Sequence, residues 1–235
     1  MKNPLLNLFL LLFSGLLVAC SNSNQLGTDE FSKYEDEPIQ ILSKEQLLRK
    51  VKEIEVRTNE TGQEDIFITA FDGTNANFIS YDACAGKGSS YNLIAGIPNL
   101  GIVFIDRTNG CHMGETTLMV SLKDGTQREL QIFDIFGENQ FQLSPEKSWL
   151  ILSSCDCSFG FGYSCNMEIL SLSNTNSSLL KSAFYKEGVC VCNSIDWNNE
   201  NEFQTTYAVG EGDDFECEYG DLRMKYENEK WGIFY

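Results

Sequence analysis

The hydrophobic pattern changes character twice along the chain. Residues 1–20, MKNPLLNLFLLLFSGLLVAC, hold an apolar run from Leu8 to Phe13 and stay apolar or small up to Cys20. Residues 21–38, SNSNQLGTDEFSKYEDEP, are polar and acidic, with too little apolar surface to bury, which is the composition of a disordered tether. Ser43 then opens the one helical pattern. In SKEQLLRKVKEIEV, Leu47, Leu48, Val51 and Ile54 fall on one face, Ser43 stands as N-cap, and Gln46 three residues on completes a capping box.

After the helix the period is that of strands. IFITAFDG (66–73) and NFISYD (77–82) lie around Asp72-Gly73, and TTLMVSLKDGTQRELQIFDI (116–135) is centred on Asp124-Gly125, both of them hairpin signals. LGIVFID (100–106), SWLILSS (148–154) and NMEILSLS (166–173) read as further strands, followed by NEFQTTYAV (201–209), LRMKY (222–226) and KWGIFY (230–235). The pattern predicts a mainly β domain of antiparallel hairpins over residues 39–235, with one short N-terminal helix.

Hairpins with Asp, Gly or Asn turns return every forty to fifty residues. QLSPEKSWLILSS…NMEILSLSN resembles a blade of the TolB-like or WD40-like propeller families. Ser144, Pro145 and Glu146 supply the turn, Lys147 stands where those families carry glycine, and Glu168-Ile169 starts the second strand. IDWNNENEFQTTYAV (195–209) is similar to a degenerate second copy. At about 40–45 residues per blade the domain would hold about four blades, the lower limit for a propeller. A β-sandwich is the alternative arrangement of the same strands.

The N-terminus adds a destination. Lys2, the short apolar run and the small residues after it are the parts of an export signal, and the run is too short to span a bilayer. Leu17-Val18-Ala19-Cys20 resembles a bacterial lipobox. The resemblance implies removal of residues 1–19 as a lipoprotein signal peptide, acylation of Cys20, and an acidic tether over 20–38. Two or three acyl chains give stable anchoring, since each buried methylene contributes about 0.8 kcal/mol. Ser21 is not the Asp that resembles an inner-membrane retention signal, which points to the outer membrane.

Charge narrows the partners. Lys and Arg number 17 and Asp and Glu 34, so loss of Lys2 leaves 16 − 34 = −18. Such a surface repels nucleic acid and anionic head groups, so the membrane is held through lipid and not through a basic patch.

Beyond Cys20 the chain has eight cysteines: Cys84, Cys111, Cys155, Cys157, Cys165, Cys190, Cys192 and Cys217. An even number in an exported chain implies a disulfide framework, with 105 connectivities open. Cys155-Asp156-Cys157 and Cys190-Val191-Cys192 are C-x-C pairs, whose sulfurs on a strand lie about 6.5 Å apart on one face. The two pairs could form a ladder of two bridges, or Cys157 could meet Cys165 across its own hairpin. The competing chemistry is a Cu(I) or Zn site drawing on the C-x-C pairs and Cys111-His112-Met113, although zinc motifs usually space paired cysteines by two to four residues. A redox-active C-x-C is the third reading.

Other constellations are sparse. His112 is the only histidine, and no G-x-S-x-G, H-E-x-x-H or phosphate-cradling glycine loop is present. Asp213, Asp214, Glu216, Glu218 and Asp221 form an acidic loop whose oxygens suit Ca²⁺ but whose spacing is not that of an EF-hand. Phe159, Phe161 and Tyr163 alternate in SFGFGYS, either as a contact for a protein, glycan or membrane partner or as a cover for the adjacent sulfurs. The expectation is a lipid-anchored envelope protein that binds or scaffolds without catalysis and without a required cofactor. Copper or zinc handling is the runner-up and an envelope hydrolase the third reading.

Overall fold

The computed structural model describes residues 34–82, 88–110, 115–130, 132, 141–153, 166–173, 178–187, 190–191, 195–210 and 217–234. Strand β1 is Leu42–Ser43, and helix α1 spans Lys44–Lys50. The capping box forms, with the Ser43 N–H donating to Gln46 Oε1 at 3.0 Å. The helix is shorter than its pattern. Val51 leaves it in extended backbone, and Ile54 starts strand β2 (Ile54–Thr58) in place of a last helical turn. The reason is visible in IEVRT, where apolar β-branched residues alternate with charged ones at strand period.

The remaining strands are β3 (Glu64–Thr69), β4 (Asn75–Phe78), β5 (Ser89–Ile97), β6 (Ile102–Asn109), β7 (Glu115–Ser121) and β8 (Gln127–Glu129). They continue as β9 (Phe141–Leu143), β10 (Trp149–Ser153), β11 (Asn166–Ser171), β12 (Lys181–Glu187) and β13 (Cys190–Val191). The last are β14 (Asp196–Asn199), β15 (Glu202–Gly210), β16 (Cys217–Glu227) and β17 (Lys230–Phe234). Every pairing is antiparallel. The first sheet runs β2-β3-β5-β6-β7-β8, with β1 on β5 and β4 on β3. The second runs β12-β11-β10-β9, and the third β13-β15-β16-β17 with β14 also on β15. Both expected Asp-Gly hairpins are present, with Gly73 and Gly125 at positive φ.

Three core clusters separate the layers. In the first, α1 and β2–β4 pack Leu47, Val51, Ile54, Ile66 and Ile68 against Val103, Ile105, Leu118 and Val120. The second sets Ile102, Phe104 and Met119 against Phe141, Leu150, Leu152 and Leu170. The third sets Trp149, Ile151, Met167 and Ile169 against Phe203, Leu222, Met224 and Trp231. Strands β6 and β10 are therefore covered on both faces, which is why IVFI and WLIL read as unbroken apolar runs. Strands β3 and β15–β16, covered on one face, alternate instead.

A bulge at Ile94 lets β5 serve both layers. Leu93 faces the first cluster and Ala95 the second, although an even step along a regular strand would keep them on one face. Close by, Leu47 of α1 lies over Gly96, where a Cβ would fall 2.9 Å from both Leu47 methyls.

Candidate functional site at one end of the stack

The turns of the layers lock together at one end. The Phe71 N–H donates to the Leu122 carbonyl at 2.8 Å, and the Leu122 N–H to the Gly101 carbonyl at 2.7 Å. Ser178 donates to Asp124, joining the β7–β8 turn to the approach to β12. The β9–β10 turn is held by Glu200, at the β14–β15 turn. Its carboxylate accepts the Ser144 hydroxyl, the Glu146 N–H at 2.6 Å and the Ser148 N–H at 2.9 Å. Burial pushes the Glu200 carboxyl up, but the donors from Ser144, Glu146 and Ser148 outweigh it and leave the pKa lowered.

The strands reverse at the opposite end, where Ser153 at the tip of β10 donates to the Val191 carbonyl at 3.4 Å. The chain between β4 and β5 contains Cys84; that between β6 and β7 contains Cys111 and His112. The connection from β10 to β11 contains Cys155, Cys157 and Cys165 with Phe159, Phe161 and Tyr163. Cys190 and Val191 form β13, Cys192 follows it, and Cys217 opens β16. The two described cysteines, Cys190 and Cys217, thus stand at strand termini of this end.

Tyr34 marks where the N-terminal segment meets the body. It is 3% exposed, although the sequence puts it in the tether. Its ring lies 6.0 Å from that of Phe71, and its hydroxyl bonds to the Lys50 carbonyl at 3.4 Å and to Glu53 Oε2 at 3.3 Å. Glu37 pairs with Lys50. Phe71 belongs to the interlocked turns, so Tyr34 packs at the end remote from Cys190 and Cys217.

Between the first two sheets runs a buried polar seam. Arg128 of β8 pairs with Glu168 of β11 at 3.2 Å; the Glu168 side chain is 4% exposed and that of Arg128 32%. The Thr117 hydroxyl donates to Asp106 Oδ1 at 2.9 Å, both residues being buried. The seam ties sheets together, because Arg128 and Glu168 come from different ones. Its sequence signal was a lone acid inside the apolar run NMEILSLS, since burying an unpaired charge is costly. Glu200 had no such signal; only its partners' positions in space reveal it.

Of the residues singled out by sequence, Cys20, Cys84, Cys111, Cys155, Cys157, Cys165 and Cys192 lie outside the described residues. So do His112, Phe159, Phe161, Tyr163, Asp213, Asp214 and Glu216. Cys190 stands opposite Ala208, and Cys217 opposite Gly210. Glu218 and Asp221 belong to β16 and not to a loop. Asp221 is exposed. Among the described residues no group of three or more His, Cys, Asp or Glu could hold a metal ion, and no helix is long and apolar enough to cross a membrane.

No protein-family model, curated protein or solved structure matches the chain.

Proposed function

We propose that the protein is a lipid-anchored component of a bacterial cell envelope that binds or scaffolds a partner protein or glycan without catalysis, its cysteine-bearing end turned away from the membrane. The observation that carries this reading is the placement of the two ends. The lipobox-like Leu17-Val18-Ala19-Cys20 leads through residues 21–33 to Tyr34, buried among the interlocked turns, while the described cysteines Cys190 and Cys217 stand at strand ends of the far end. Thirteen residues span at most about 45 Å when extended, enough to hold the turn end just above the head groups. A net charge of −18 after cleavage, from 16 basic and 34 acidic residues, keeps the body off anionic lipid.

The far end carries the features suited to a partner. SFGFGYS joins β10 to β11, and the acidic stretch joins β15 to β16. The body beneath is a scaffold, with Glu168, Asp106 and Glu200 all engaged in hydrogen bonds or ion pairs within it. Its consecutive meanders β5–β8, β9–β12 and β14–β17 are stacked in chain order, which supports a propeller-like arrangement of blades. The outer membrane, through Ser21, is the proposed address.

Cys20→Ser tests the anchor. The variant is expected to leave the membrane fraction and to lose incorporation of a labelled fatty acid. A variant that stays membrane-bound contradicts the proposal.

A further inference from the structure

We propose that Lys44 and Asn92 become joined by an isopeptide bond, with Glu64 as the acid–base group that carries the proton. The chemistry belongs to three side chains that take no part in the locks described above, and it stands whether or not the chain is exported. Lys44 opens α1, Glu64 opens β3 and Asn92 lies in β5. The Lys44 Nζ contacts Glu64 Oε1 and donates to Asn92 Oδ1 at 3.3 Å. An amine, a carboxyl and a carboxamide thus meet from three elements, the last two 20 and 48 residues along the chain from the first.

The fold holds them there. Strand β1 pairs with β5 immediately before the helix, Ser43 opposite Ala95, and Leu47 lies over Gly96 of the same strand. Lys44 sits between those two contacts. Glu64 stands opposite Tyr91, the neighbour of Asn92, where β3 meets β5. Fixed geometry of this kind gives effective molarities of about 10⁵–10⁸ M when the reacting atoms are aligned. An amide, otherwise inert to an amine, needs such an advantage.

The Glu64 carboxyl gives the proton a reason to move. Its side chain is 29% exposed and that of Lys44 24%, and Glu64 Oε2 is buried with no hydrogen-bond partner among the described residues. A charged oxygen buried without a donor is costly. Transfer of a proton from Lys44 Nζ to Glu64 Oε1 removes the charge from both groups, and the neutral amine then has the electron pair of a nucleophile. That pair attacks Asn92 Cγ and forms the new N–C bond. Glu64 gives its proton to Nδ2 and takes one from Nζ in return, the Cγ–Nδ2 bond breaks, and ammonia departs. No oxidant or co-reactant is consumed, and Asn92 is exposed, so the ammonia leaves directly to solvent. The bond closes residues 44–92 into a covalent ring and ties α1 to the first sheet. On the envelope reading, and only there, it has a mechanical use: a pull on the tether enters at Tyr34 and passes through Lys44 into β5 without peeling the helix away.

Cleavage of the full chain, reduced, after Lys and Arg tests the bond wherever the protein resides, because an acylated Lys44 is not cut. Residues 34–49 and 88–107, which contain no cysteine, are expected to emerge as one branched peptide, lighter by one ammonia than the two together. Asn92→Ala and Glu64→Gln are each expected to release them separately, with cleavage at Lys44 restored. The map of the unaltered chain decides the matter even where a variant fails to fold. Residues 34–44 and 88–107 recovered separately from that chain overturn the proposal. So does a loss of ammonia that maps to Asn109-Gly110 in place of Asn92. A Glu64→Gln chain that still yields the branched peptide overturns the role given to Glu64.

Discussion

At the scale of single residues, the turn Ser144-Pro145-Glu146-Lys147 carries a conflict between sequence and backbone. Lys147 sits at φ 62, the left-handed region that costs a side chain with a Cβ about 1–2 kcal/mol. The propeller-like motif places glycine there, so the departure visible in the sequence coincides with a strained position. Lys147→Gly is expected to stabilise the protein by about 0.5–1 kcal/mol, the relief of strain being partly offset by the greater unfolded-state freedom of glycine. A rise in urea midpoint with unchanged slope would bear this out; a fall would show that the Lys147 side chain contributes more than its backbone costs. The turn was readable because proline and the Ser-Glu pair announce it. The reversal at Asn228-Glu229 was not, although both residues have positive φ. Its second position is Glu, not the glycine that usually marks such a hairpin.

At the scale of elements, two locks between sheets decide how the layers stay in register. Arg128 to Glu168 spans the seam between the first and second sheets. Arg128→Met leaves a buried carboxylate without its cation and is expected to cost about 1–3 kcal/mol. That is less than the roughly 3–5 kcal/mol of a fully buried pair, because the arginine is a third exposed. Arg128→Met combined with Glu168→Met is expected to recover most of the loss in urea unfolding. A double variant as weak as the single one would mean that the seam acts through packing alone. Glu200 locks the second sheet to the third. Its pKa is below the ordinary 4.5 in the folded chain, so the unfolded chain takes up the proton first as pH falls. The stability Glu200 contributes is complete above about pH 4.5 and is lost as pH drops through the lowered value. Glu200→Gln is expected to flatten the acid limb of a melting-temperature profile below about pH 4.5. An unchanged limb would assign it to other carboxylates such as Asp124, which is also lowered. Strands β3, β6, β7, β10, β11, β15 and β17 were legible from periodicity, but β5 and β12 were not read as strands. The layer order was less so, since an unbroken apolar run such as IVFI tells that both faces are covered but not by what. The helix was read too long because Ile54 satisfies helical and strand spacing at once.

At the scale of the whole molecule, the third core gathers all three tryptophans. Trp231 stands 5.4 Å from Trp149 and 6.5 Å from Trp197, with Phe203 and Tyr226 between layers. This cluster knits the last two sheets, while Tyr34 and α1 close the other side of the stack. The arrangement behind the proposed function was half legible. The lipobox-like segment and the cysteines can be read in the sequence, but which strand ends lie together depends on which way each meander runs. That follows from hydrogen-bonded registers between residues far apart in the chain, which no local pattern encodes. Centrally, we propose a chain anchored through Cys20 whose other eight cysteines are oxidised. The intact mass of the protein extracted from membranes, taken before and after reduction, tests both parts at once. The account predicts a chain beginning at Cys20, heavier than its residues by its acyl groups, that gains eight hydrogens on reduction. A chain that retains Met1 without added lipid, or one whose mass does not change on reduction, would contradict it.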